Sequence, residues 1–89
     1  TKVWARELGR YGIRVNAIAP GVFRTPLNAQ LLDGTDRGRE LKLRTPLGRF
    51  GRVEENVGAT VFLASEGASF INGEIIAVDG GFLASGVNQ

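Results

Sequence analysis

Residues 13–26, IRVNAIAPGVFRTP, carry an apolar run to an abrupt stop. Ile13, Val15 and Ile18 are branched at Cβ, which favours extended backbone, and the run is too short for a helix. Pro20 then removes an N–H from any ladder, and Gly21 follows it. The stretch predicts a mostly buried strand over residues 13–19 that ends in a Pro-Gly turn.

Upstream, Trp4, Leu8 and Tyr11 fall at i, i+4 and i+7, with Lys2, Arg6 and Arg10 turned elsewhere. This is the period of an amphipathic helix over residues 1–11, which Gly12 stops. Helix followed by buried strand suggests a parallel sheet. Downstream, Thr25 reads as an N-cap and Pro26 as the first residue of a short helix with Leu27, Leu31 and Leu32 on one face, and a second helix is expected over 36–43. TPLGRFGR, residues 45–52, predicts a surface loop. Val53, Val57 and Val61 then mark a helix to about Ser65, with Glu54 and Glu55 where the helix dipole favours acids. Asn72-Gly73 reads as a turn, Glu74 to Val78 as a second buried strand, and Asp79-Gly80-Gly81 as its end. Two apolar strands joined by a long connection containing a helix make a βαβ unit with a right-handed crossover, so the expected fold class is α/β.

Composition narrows the function. The 89 residues contain neither cysteine nor histidine, which removes disulfides, thiolate metal sites and the commonest neutral metal ligand, and no metal site is expected. No apolar run approaches the roughly 18 residues that span a membrane, and no signal-peptide pattern is present, so a cytoplasmic protein without a membrane partner is expected. A net charge of +2 is no nucleic-acid footprint. A chain this short buries only about 60–65 % of its unfolded surface, and it starts, without methionine, in what reads as mid-helix; we expect a piece of a larger domain.

Asn16-x-Ile18-x-Pro20-Gly21, Thr25 four residues after that glycine, and Gly73-Glu74-x-x-x-Val78-Asp79-Gly80-Gly81 together resemble the carboxyl-terminal part of the short-chain dehydrogenase/reductase family. The likeness extends through Tyr11 to Asn16 and Leu47 to Gly51, and the tail GFLASGVNQ resembles members described as gluconate 5-dehydrogenase-like or sugar-alcohol-specific. The resemblance implies that residues 1–89 are the C-terminal βαβ portion of a single doubly wound, Rossmann-type domain that binds NAD or NADP. It also implies cofactor-binding roles for Pro20, Gly21, Phe23 and Thr25. The Pro-Gly turn would lie against the nicotinamide ring, with no Cβ at Gly21 to obstruct it. The Phe23 backbone would bond the carboxamide, and the Thr25 hydroxyl would hold the carboxamide or the pyrophosphate side.

The family's glycine-rich phosphate turn does not occur here, and the residue four after the sole tyrosine, Tyr11, is Val15 where its Tyr-x-x-x-Lys needs lysine. No catalytic residue is therefore expected within the chain, and the charge that selects NAD or NADP is expected outside it. The full protein would interconvert an alcohol and a ketone on a small polar substrate such as a sugar acid, as a homo-oligomer, dimer or tetramer. Residues 36–52, with six Lys or Arg against Asp36 and Glu40, would form its substrate lid. The alternative is a non-catalytic remnant or association module. Local readings stand beside these roles: Thr25 as a helix cap, Asp79-Gly80-Gly81 as a structural turn, Asn16 as a satisfied polar group, Trp4 as a core or subunit-contact aromatic, and the basic run as a solvated face. An unpaired edge on the first strand would make the isolated chain self-associate.

Overall fold

A computed structural model describes residues 1–86; residues 87–89 of the GFLASGVNQ tail lie outside the described residues. Helix α1 (Lys2–Leu8) tightens into a 3-10 turn, Gly9–Tyr11, that Gly12 ends with φ 76°. Strand β1 (Ala17–Pro20) leads through helices α2 (Ala29–Leu32), α3 (Asp36–Leu43) and α4 (Val53–Ala64) to strand β2 (Ile75–Val78) and helix α5 (Phe82–Gly86). The strands pair in parallel, Ala17 opposite Ile75 through to Pro20 opposite Val78, and α4 packs on both. The order and the pairing make a βαβ unit, so the fold class is α/β.

Both strands are shorter than their apolar runs, because side chains intervene before the ladder begins. The Val15 N–H donates to Asn72 Oδ1 at 2.9 Å, and the Gly73 N–H donates to the Val15 carbonyl at 2.9 Å. Asn16 donates to the Ile71 carbonyl and accepts from the Glu74 N–H, both at 3.0 Å, so it is a satisfied structural clasp. The strands are also less buried than expected. Residues 17–19 are half-buried, and β2 alternates exposed with half-buried residues, the pattern of a sheet covered on one side.

The apolar stripe of α1 is not its buried face. Trp4 is 64 % exposed and Tyr11 68 %, whereas Ala5 is 4 % exposed. Ala5 docks on the Asn72-Gly73 turn: a Cβ on Gly73 would lie 3.3 Å from that of Ala5, Asn72 Nδ2 donates to the Ala5 carbonyl at 3.1 Å, and Lys2 Nζ reaches the Gly73 carbonyl at 2.9 Å. A small side chain is what so close an approach admits, and Trp4 faces outward as a result.

Residues 45–52 form the expected irregular, mostly exposed loop, anchored by buried Thr45 and Phe50, but one loop expectation changes at Pro26. The Thr45 hydroxyl donates to the Leu41 carbonyl at 2.8 Å, and the Leu47 N–H donates to the Gly80 carbonyl at 3.2 Å. Pro26 does not open a helix: residues 26–28 form a turn and α2 starts at Ala29. The described residues form an open slab, 49 × 30 × 19 Å, with a radius of gyration of 15.8 Å; a compact chain of this length has about 12 Å.

Candidate functional site

The two strands end side by side, and their ends interlock. Pro20 closes β1, yet the Gly21 N–H still donates to the Val78 carbonyl at 2.9 Å, so pairing runs one residue past the proline. A Cβ on Gly21 would sit 2.7 Å from both Cα and Cβ of Asp79. Glycine is therefore required here by the neighbouring chain end itself. On the β2 side, Gly81 holds φ 94°, a conformation costly for any other residue, and a Cβ there would meet Pro46 at 2.9 Å. Asp79 braces this turn, accepting from the Gly81 N–H at 2.9 Å and the Leu83 N–H at 3.1 Å. The N–H groups of Leu83 and Gly81 hold its carboxyl below the usual range. Asp79 is thus committed to the turn.

Beyond Gly21 the chain pairs again. The Gly51 N–H donates to the Val22 carbonyl at 2.9 Å and the Arg24 N–H to the Gly51 carbonyl at 3.1 Å, a parallel bridge that lays the Phe23 ring over Gly51. Thr25 and Asn28 then bond reciprocally: the Thr25 N–H donates to Asn28 Oδ1 at 2.8 Å, and the Asn28 N–H donates to Thr25 Oγ1 at 3.3 Å. Thr25 keeps its cap-like role although the helix starts later. Asn28 Nδ2 also donates to the Phe23 carbonyl at 2.8 Å, tying the loop to itself. Sequence reading missed Asn28; its signal was a Thr-x-x-Asn spacing that mimics a capping box. Among the described residues the N–H groups of Val22 and Phe23 and the hydroxyl proton of Thr25 meet no acceptor.

All four expected residues converge. Pro20, Gly21, Phe23 and Thr25 line one recess of about 390 Å3, together with Asn28 and Asn56. Val22 and Phe23 also face a larger, mainly apolar cleft of about 640 Å3 bounded by Leu47, Arg49, Val78 and Gly80. Asn56, which sequence reading did not single out, lies in the first turn of α4, and its Oδ1 is buried without a hydrogen-bond partner among the described residues. Tyr11 lies outside both recesses. Among the described residues no group of three or more His, Cys, Asp or Glu could hold a metal ion, and no helix is long and apolar enough to cross a membrane.

Residues 1–83 match the family model described as enoyl-(acyl carrier protein) reductase. The chain belongs to the short-chain dehydrogenase/reductase family. It is 46 % identical over 85 residues to gluconate 5-dehydrogenase of Gluconobacter oxydans, covering 96 % of this chain and 33 % of that protein. It is also 46 % identical over 84 residues to a 3-oxoacyl-(acyl-carrier-protein) reductase of Thermotoga maritima, covering 93 % of this chain and 33 % of the relative. The crystal structure of a gluconate 5-dehydrogenase from Burkholderia cenocepacia in complex with NADP and tartrate superposes with a TM-score of 0.87 at 45 % identity, over 94 % of this chain and 33 % of that one. The chain thus spans about a third of the length of the relatives that it matches.

Around these recesses of the short-chain dehydrogenase/reductase chain, much of the basic run is engaged. Arg49 grips Glu55 with two bonds of 2.8 Å, and Arg52 lies 3.7 Å from the same carboxylate. The Arg49 guanidinium, helped by the Arg52 N–H, pulls the Glu55 carboxyl down to about 2. Arg39 pairs with Asp36, while Lys42 sits 5.1 Å above the Phe50 ring and Arg44 5.2 Å above that of Phe82. Just before the run, Arg24 forks onto Asp33 at 2.7 and 2.9 Å, which lowers the Asp33 carboxyl. Exposed pairs of this kind contribute little to stability, because water and salt screen them. They order the segment over the strand ends more than they stabilise the whole.

Proposed function

We propose that this chain is the C-terminal portion of the single Rossmann-type domain of an NAD- or NADP-dependent oxidoreductase. Its reaction interconverts an alcohol and a ketone on a small polar substrate, a sugar acid. Residues 1–89 supply the nicotinamide-side loop, the substrate lid and subunit contacts, and the proton-transferring groups come from outside them. The observation that carries this reading is the convergence of Pro20, Gly21, Phe23 and Thr25 on one recess at the strand ends, the place where open α/β sheets bind ligands.

The recess suits a nicotinamide. The Phe23 N–H and the Thr25 hydroxyl are unspent donors for the carboxamide oxygen. Pro20 and Gly21 present flat, low-profile backbone to the ring. When bound, the nicotinamide supplies the hydride chemistry. The chain's part is to fix which ring face meets the substrate, because the interlocked strand ends cannot shift without moving Asp79. For the substrate, the gluconate-type relatives and the tartrate complex support a carboxylate-bearing polyol, and the lid cations supply matching charge. The exposed apolar face of α4, with Val57 53 % and Val61 61 % exposed, supports assembly as a homo-oligomer, dimer or tetramer.

The reading is tested on the protein as its source makes it. Titration with NADH and NADPH should enhance reduced-nicotinamide fluorescence, and sugar-acid ketones should then oxidise the bound nucleotide. Thr25→Val should weaken binding by about 2- to 10-fold, the worth of one net hydrogen bond. Failure to bind either dinucleotide would select the association-module alternative.

A further inference from the structure

Thr45 is polar yet only 6 % exposed, and it lines neither recess at the strand ends. Its two branches do different things. The hydroxyl donates to the Leu41 carbonyl at 2.8 Å, which ties the residue to the last turn of α3. The methyl faces the end of β2: a Cβ on Gly80 would meet Thr45 Cγ2 at 2.9 Å, so the methyl closes on the Gly80 main chain. The next two residues press on the same turn. A Cβ on Gly81 would meet the Pro46 ring at 2.9 Å, and the Leu47 N–H donates to the Gly80 carbonyl at 3.2 Å. The turn moves as one body, because the Asp79 carboxylate holds the Gly81 and Leu83 N–H groups. Asp79 in turn abuts the Pro-Gly loop, where a Cβ on Gly21 would lie 2.7 Å from Asp79 Cα and Cβ.

Asp79-Gly80-Gly81 is therefore packed against residues 45–47 and against the backbone of Gly21. Close-packed main chain transmits strain, so a contact removed at Gly80 gives Asp79 room to shift and Gly21 room to follow. Resting on the nicotinamide reading above, we propose that Thr45 is a positioning residue for the dinucleotide. Its methyl, through Gly80 and Asp79, holds Gly21 where the Pro-Gly loop meets the ring. The hydroxyl anchors that methyl on α3.

The two branches can be removed one at a time in the complete protein. Thr45→Ser deletes the methyl and keeps the hydroxyl; Thr45→Val deletes the hydroxyl and keeps the methyl. Both should lower the melting temperature of the ligand-free protein, the first through lost packing and the second through a lost hydrogen bond. Only Thr45→Ser should disturb the nucleotide. Fluorescence titration with NADH and NADPH should show binding weakened about 2- to 4-fold, the bias that one buried methyl provides, with a smaller enhancement at saturation. Thr45→Val should match wild type in both readings. Pro46→Ala, which removes the neighbouring contact on Gly81, should act in the same direction as the serine variant. If Thr45→Ser and Pro46→Ala both bind like wild type, the assignment is overturned. Equal weakening by Thr45→Ser and Thr45→Val would also overturn it, since lost stability alone would then account for the effect; in either case the cofactor reading stands. If wild type binds neither NADH nor NADPH, the cofactor reading falls and the assignment falls with it.

Discussion

The carboxyl ends of β1 and β2 and the outward faces of α1 and α4 pack in opposite ways. At the strand ends there is no room for a methyl group: a Cβ would lie 2.7 Å from Asp79 at Gly21, 2.9 Å from Thr45 at Gly80 and 2.9 Å from Pro46 at Gly81. On the helices, Trp4 is 64 % exposed and Val61 61 %, and a Cβ on Gly58 would meet nothing within 4 Å. The difference teaches where this chain's own packing is invested. Its interlocked backbones hold the carboxyl end of the sheet in place, whereas the helix faces offer apolar area that these residues leave open.

Breaking the tight end should give the largest effect. Gly21→Ala forces the Pro-Gly loop off the Asp79 backbone and should cost about 1–3 kcal/mol in denaturant unfolding of the complete protein, with weaker dinucleotide binding. Unchanged stability would mean that the strand ends are looser than their geometry. Thr45→Val keeps the shape but deletes the bond to the Leu41 carbonyl. It should lose about 1 kcal/mol in the same assay.

The open end should behave in the reverse sense. Gly58→Ala adds a methyl into free space on a helix and should stabilise by about 0.5–1 kcal/mol; a loss instead would show that another surface packs closely on α4. The smallest effect belongs to the exposed Arg49–Glu55 pair. Glu55 titrates at about 2 in the fold against an ordinary 4.5, so its contribution is fully present above about pH 4.5 and disappears as the pH falls toward 2. Replacing it, Glu55→Gln, should flatten the acid limb of stability in that window, and an unaltered limb would mean that the Arg49 pair is not formed in solution.

Much of the architecture was legible beforehand. Helix 36–43, the helix from Val53 and the parallel strand pair follow from periodicity, caps and β-branching, all carried by neighbours within a few residues. The candidate site was legible at Pro20, Gly21, Phe23 and Thr25 because they share one short segment, and the structure gathers them on one recess. Asn28 and Asn56 were not. A Thr-x-x-Asn spacing resembles any turn, and an asparagine on a helix looks like a surface residue until the crossover lays it beside a loop some thirty positions earlier in the sequence. Strand length was misjudged for a similar reason, since Asn72 and Gly73 reach across to Val15 and take the place of the first rungs.

By itself, the order of residues determined the βαβ sequence, the punctuation at Pro20-Gly21 and Asp79-Gly80-Gly81, and family membership, because these depend on local backbone preferences and on motifs at set spacings. Only the tertiary structure decided that Ala5 and not Trp4 is the docking residue of α1, that Gly21 is demanded by Asp79, and that Asn56 lines the recess beside the Pro-Gly loop. Periodicity states which side chains share a face; what covers that face, and how closely, depends on segments far away in the chain.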